Sequence, residues 1–365
     1  MNLILITIAT IVNDDDRYQK SARRIEVREG TIMRQVFTFR GILPAFTFLL
    51  VCMCSHAQGI QYDKAEFITE KVGPNVYVFT GSPGTDPGHP EGAGGRVGVL
   101  AGPDGVLMVD ASYAPLSDKL AAAIRKISPS PIRFVVDTHE HPDHTGGNPQ
   151  FARMGALIIA REEVREDLNV GFPPALAAAI GKAASGTDPD RLPVLTYGMG
   201  EPLKIRLNGE TVDLIPVRAA HTNGDTIVRF EKADVMMIGD FYRNYGYPFI
   251  DPQHGGTFKG VLEALDTVMK LAGPKTTLVP GHGTIIHVID LAPYRDMILD
   301  VQAKVQQMVL DGKSLQDVLA AKLTSPYDAK VPGGLAPLPA GFGTSADRFV
   351  GTLYAECKGA SSAVR

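Results

Sequence analysis

The segment Thr138-His139-Glu140-His141-Pro142-Asp143-His144-Thr145-Gly146-Gly147-Asn148 decides how this chain is read. It puts three imidazoles and one metal-competent carboxylate into six residues, in the pattern His-x-His-x-Asp-His. The hydrophobic run Pro131-Ile132-Arg133-Phe134-Val135-Val136 leads straight into it and reads as a buried strand. The donors therefore sit on the loop at that strand's end, where Gly146-Gly147-Asn148 lets the backbone turn away. Imidazole and carboxylate at this density suit zinc or a related transition metal, whereas calcium and magnesium prefer oxygen shells.

Further donors arrive one at a time. Val212 to Val217 reads as a strand and runs into Ala219-Ala220-His221-Thr222-Asn223-Gly224-Asp225. Val235-Met236-Met237-Ile238-Gly239 ends on Asp240, and Thr277-Leu278-Val279-Pro280-Gly281 ends on His282. Upstream, Gly105-Val106-Leu107-Met108-Val109 ends on Asp110. Singly, each is an ordinary turn residue. Together they all fall at the ends of hydrophobic strands, so a parallel or mixed sheet brings them to one edge.

Around these lie the other elements. Asn75 to Thr80 and Arg96 to Leu100 read as strands, joined by a Gly/Pro-rich loop, Gly81 to Gly92, expected to wall a substrate cleft. His89 in that loop reads as a loop residue rather than a ligand. Ser117 to Ile127 has Leu120, Ile124 and Ile127 on one helical face. Strand, helix, strand is a βαβ unit and implies a sheet covered by helices. Residues 169–200 read as a partly helical insertion near the cleft, too long for an ordinary connection. The last third is mostly helical: Phe258 to Leu271, Leu291 to Leu310, Ser314 to Lys322 and Thr344 to Glu356.

The N-terminus reads as a leader. After Met33, Arg34 and Arg40 give a positive start, Gly41 to Val51 an apolar middle, and Ser55-His56-Ala57 a small-x-small cleavage signal. Residues 1–57 are thus expected to be an extension plus a secretory signal peptide with its true start at Met33, and 58–365 a single domain. That makes the protein periplasmic or secreted, with no stable membrane association after cleavage. Of the 3 cysteines only Cys357 would remain, so an internal disulfide is excluded. A net charge of −4 without a basic stripe argues against nucleic acid and leaves a small molecule as the partner.

His139-x-His141-x-Asp143-His144, then His221, Gly239-Asp240 and Gly281-His282-Gly283, with Asp110 before them, resembles the full motif series of the metallo-β-lactamase superfamily. The resemblance runs from about Val76 to Ile289. It implies an α/β fold, an αββα four-layer sandwich, here with extra C-terminal helices. It also implies two zinc ions per chain, one held by His139, His141 and His221 and the other by Asp143, His144 and His282, with Asp240 bridging. Such a pair lowers the pKa of a shared water towards roughly 7, and Asp143 would orient that water or accept its proton. Asp110 would support a ligating histidine from behind. His254 and His287 fit no ligand position.

The branch is read from departures. One subclass of true β-lactamases has Cys at the position of Asp240, and another typically has no ligand there. This chain has both His144 and Asp240, which is similar to the glyoxalase II, lactonase and general hydrolase branches. Arg243, three residues after Asp240, resembles instead the substrate-binding Lys of the Cys-containing β-lactamases and could clamp a carboxylate. Tyr242 or Tyr245 could donate to an oxyanion. The expectation is an exported zinc hydrolase opening an ester, lactone, thioester or amide. The alternatives are a β-lactamase proper and a mononuclear iron sulfur dioxygenase.

Overall fold

The computed structural model describes residues 62–81, 94–171, 188–338 and 343–363. The leader, its cleavage signal, His89 and most of the loop after Gly81 lie outside these. Seven strands form one sheet in sequence order: β1 (Phe67–Gly73), β2 (Val76–Gly81), β3 (Val97–Leu100), β4 (Val106–Val109), β5 (Ile132–Val136), β6 (Leu157–Arg161) and β7 (Leu195–Tyr197). Five form the second, β8 (Leu203–Leu207) to β12 (Thr277–Pro280), through β9 (Glu210–Pro216), β10 (Thr226–Phe230) and β11 (Val235–Gly239).

Strand periodicity builds the layers, because successive side chains face opposite ways. On β4, Leu107 and Val109 enter the same core as Val212, Val228 and Met237 of the second sheet. Val106 and Met108 face outward to Leu120 and Ile124 of helix α1 (Ser117–Arg125). On β11, Val235 and Met237 join the core between the sheets, while Met236 and Ile238 pack under helices. Helix, sheet, sheet, helix is the αββα sandwich, as the motifs implied.

The outer helices on the second side include α5 (Phe258–Leu271), α6 (Leu291–Leu310) and α8 (Ser345–Ala363), with α7 (Leu315–Ala320) between the last two. Buried Phe258, Val301 and Phe349 belong to their shared core. Helices α2 (Pro142–Thr145), α3 (Asn148–Arg153) and α4 (Glu162–Val170) follow β5 and β6. Of the stretch read as a partly helical insertion, 172–187 lies outside the described residues, but Leu195–Tyr197 is a strand parallel to β6. Among the described residues, no helix is long and apolar enough to cross a membrane.

Parallel pairing positions the site. β4 runs parallel to β5, and β11 parallel to β12. β9 and β11 both run antiparallel to β10 between them, so they share a direction. Asp110, the His139 loop, His221, Asp240 and His282 therefore all emerge at strand C-terminal ends.

Candidate metal centre

Four histidines of the cluster, His139, His141, His144 and His221, each have one ring nitrogen committed behind them. Thr138 Oγ1 donates to Asp110 Oδ2 at 2.9 Å, so it accepts from His139 Nδ1 at 3.0 Å. His141 Nε2 donates to Asp251 Oδ2 at 3.0 Å, and His144 Nδ1 to Asp110 Oδ2 at 2.8 Å. His221 Nδ1 donates to the carbonyl of Phe249 at 2.9 Å. These outer bonds leave a lone pair on each remaining nitrogen and orient the rings as metal ligands need.

The remaining donor atoms converge in overlapping groups. His139, His141 and His221 form one; Asp143, His144 and His282 form another; His139, His144 and Asp240 form a third. Within each, the donor atoms lie within 4.8 Å of one another. Asp240 stands between the first two sets, with Oδ1 3.5 Å from His144 Nε2, and Oδ2 3.3 Å from His282 Nε2 and 3.8 Å from His221 Nε2.

The donors fit metal ions. His139 Nε2, His144 Nε2 and Asp240 Oδ1 are buried without a hydrogen-bond partner, which is costly in a site made only of protein. His221 Nε2 lies 3.0 Å from His141 Nδ1. With the other nitrogen of each ring already donating, this pair is satisfied either by a proton on His141 Nδ1, which Asp251 and Glu140 favour against burial, or by a metal ion in its place. Burial, with the His141 charge, lowers the His221 pKa to about 3, and burial holds His139 well below its usual range. Both are therefore neutral, as ligands must be.

The second set is more ionic. Burial disfavours a charged His144, but Asp143, Asp240 and Asp110 outweigh it and lift its pKa to about 10. His282, buried beside Asp240 and Asp143, rises to about 9. Burial would raise Asp143, yet His144 and His282 hold it below the usual carboxylate range. Protons occupy these places when metal does not.

The surrounding backbone is shaped for close approach. Asp110 sits at φ +64°, a left-handed conformation tolerated where other bonds over-determine it. Here they do: its amide donates to Val136, and its carboxylate binds Thr138 and His144. A Cβ on Gly281 would lie 2.0 Å from Asp240 Oδ1, and one on Gly95 would lie 2.2 Å from His144 Cε1. Arg96 clamps the His282 loop, donating to Gly283 and, from its amide, to Gly281 at 2.9 Å. Arg161 does the same for the His221 loop, donating to Val217 and Asn223 at 2.8 Å each.

Two expected substrate contacts are relocated. Tyr242, read as an oxyanion donor, is 4% exposed, and its ring packs against Tyr294 at 4.5 Å in the helical-side core. The helices over the second sheet cover the loop that continues β11, so Tyr242 is a core residue. Tyr245 faces Gly333, whose added Cβ would meet its ring at 2.5 Å. Tyr113 lies beside Asp143, since a Cβ added at Gly94 would meet Asp143 Cβ at 2.7 Å and Tyr113 Cε2 at 2.9 Å; burial and then the charge of Asp143 raise its phenol well above the ordinary pKa, so it stays protonated. Asp251 and His254 also belong to the site, although their sequence positions do not suggest it. Asp251 Oδ2 bridges His141 Nε2 and His254 Nδ1, the latter at 2.8 Å. The available signal is only that Asp251 follows an aromatic stretch after Asp240.

Residues 91–282, more than half of the chain, match the metallo-beta-lactamase superfamily, and the chain belongs to that superfamily, whose members are mostly metal-dependent hydrolases. A sec-alkylsulfatase, Pisa1 from Pseudomonas sp., superposes with a TM-score of 0.58 at 15% identity over 80% of this chain and 50% of its own. A metallo-beta-lactamase from Pontibacter korlensis gives 0.50 at 15% identity, over 63% of this chain and 99% of its own. In sequence, the chain is 26% identical over 147 residues to 2,4-dinitroanisole O-demethylase subunit alpha from Nocardioides sp. (strain JS1661). That match spans 40% of this chain and 40% of the relative's length.

Proposed function

We propose that this protein is an exported, dinuclear zinc hydrolase that opens an ester, lactone, thioester or amide bond. The observation that carries the reading is the division of seven donors into two sets with Asp240 between them. His139, His141 and His221 would hold one ion, Asp143, His144 and His282 the other. When bound, the ions supply Lewis-acid polarisation and an acidified water.

The chain's own groups do the rest. Asp143 Oδ2, 3.0 Å from His282 Nε2, is placed to accept a proton from the attacking water. Asp110 and Asp251 keep His144 and His141 in the tautomers that ligate. Tyr113, kept protonated, can donate to oxygen that gains charge as the carbonyl is attacked. The complete second set favours this reading over a mononuclear iron dioxygenase, and the presence of both His144 and Asp240 departs from the two β-lactamase subclasses compared above.

The test is metal content and turnover of the full chain loaded with zinc, against lactone, thioester, aryl ester, alkyl sulfate and chromogenic cephalosporin. Two zinc ions with ester-type turnover, lost in Asp143→Asn, support the reading. Cephalosporin turnover above all others would transfer it to the β-lactamases, and iron with oxygen uptake would end it.

A further inference from the structure

The segment that precedes β1 lies against the metal cluster. Tyr62 packs edge-on to Tyr113, ring centres 5.5 Å apart and planes at 68°. Both rings border a small core of Ala65 and Leu116, and both stay partly exposed. Tyr113 in turn stands beside Asp143, because one added Cβ at Gly94 would touch both side chains. The pair of rings therefore flanks the second donor set, Asp143, His144 and His282.

One lysine fixes this arrangement. Lys119, on α1, donates to the carbonyls of Tyr62, Asp63 and Ala65 at 3.0, 2.6 and 2.8 Å. An ammonium has three N–H groups, and all three go to the backbone of residues 62–65. No strand ladder holds that backbone, since β1 begins only at Phe67. Lys119 thus ties to α1 a stretch of chain whose side chain nearest the cluster is Tyr62. Burial, and then the charge of Asp143, push the Tyr62 phenol up to about 12, so it stays neutral beside that carboxylate.

Tyrosine offers a broad, rigid contact at low cost in side-chain entropy. Aromatic rings also prefer edge-to-face or offset packing with a further ring, an attraction beyond the area they bury. A saturated group of the same size gains the area without that geometry. We propose that Tyr62 and Tyr113 form one wall of the substrate site, beside the second donor set, and take an aromatic group of the substrate, with Lys119 as the residue that positions Tyr62. This deepens the hydrolase reading and rests on it for the reaction, but not for the binding of the ring.

The test compares, by calorimetry on the zinc-loaded full chain, benzamide with cyclohexanecarboxamide, a saturated ring of like size. The variants are Tyr62→Leu, Tyr62→Phe and Lys119→Met. The unmodified chain should prefer benzamide. Tyr62→Leu keeps an apolar contact with Leu116 but loses the ring, and should bind benzamide about three- to tenfold more weakly. Tyr62→Phe should retain the preference. Lys119→Met should weaken benzamide as Tyr62→Leu does and open the amides of residues 62–66 to hydrogen exchange; unchanged protection and affinity would overturn its positioning role. Melting curves separate these effects from misfolding. Equal affinity for the two amides, or benzamide binding that Tyr62→Leu leaves unchanged, overturns the proposal. In kinetics, Tyr62→Leu should raise the KM for phenyl acetate more than it lowers kcat, and more than it raises the KM for ethyl acetate. Tyr62-dependent benzamide binding without turnover of either ester would sink the hydrolase reading and leave the aromatic wall standing. Turnover of phenyl acetate with a KM insensitive to Tyr62→Leu would do the reverse.

Discussion

Asp251 Oδ2 lies 3.0 Å from His141 Nε2, so the carboxylate presents the opposite nitrogen of that ring to the cluster. The same oxygen accepts from His254 Nδ1, and burial notwithstanding, the two imidazoles hold Asp251 below the usual carboxylate range. Asp251→Ala should weaken zinc binding at the first site by about 10- to 100-fold. Competition against a chromophoric chelator measures this, and an unchanged affinity would remove Asp251 from the site.

His141→Ala removes a donor outright. Uptake at the first site and turnover should both be lost, while the fold persists, because the sheets are built from other residues. Hydrolysis at the wild-type rate would refute the ligand assignment.

Metal uptake should release protons. Without metal, His144 and His282 hold theirs up to about pH 10 and 9. Coordination needs the lone pairs, so binding at neutral pH expels about two protons and apparent affinity climbs with pH towards those values. Calorimetry in two buffers of different ionisation enthalpy counts them. Identical heats in both buffers would contradict the raised pKa values.

Gly281→Ala should disable the second ion without unfolding the chain. The new methyl would stand 2.0 Å from Asp240 Oδ1 and 2.9 Å from His144 Cε1, so the bridge must shift. Displacements of about 1 Å cost about 10²-fold in rate. Zinc stoichiometry together with kcat decides the matter; full occupancy at full rate would show that the loop yields freely.

Phe349 tests whether the last helix belongs to the core. It is fully buried, stacked 5.6 Å from Tyr247 and edge-on to Phe258 at 5.3 Å. Phe349→Ala should lower unfolding stability by about 3–5 kcal/mol. A loss below about 1 kcal/mol in urea would make the helix a loose appendage.

Much of the fold is legible in the sequence because strands with both faces buried are continuous apolar runs. Val106 to Val109 and Val235 to Gly239 are buried throughout, and both stand out as such runs. β1 does not: four of its seven residues, Ile68 to Lys71, are exposed, so no buried pattern marks it. β7 is hidden inside the expected insertion for the same reason, with Leu195 exposed at the sheet's edge. β10 is masked because it starts at once after the His221 loop.

The site divides along the same line. Sequence alone determined the donor types and their order, since a His or Asp after an apolar run is visible without knowing what lies beside it. The layers came from the resemblance of that donor series to a known family, because strands buried on both faces show no period of two in their sequence. Only the tertiary structure decided which atoms face the metals, because Thr138, Asp110, Asp251 and the Phe249 carbonyl select one nitrogen on each ring. It also sent Tyr242 into the core and brought Arg348 over Phe249 from 99 residues away. Such pairings depend on how strands and helices pack across the chain, and local sequence carries no record of them.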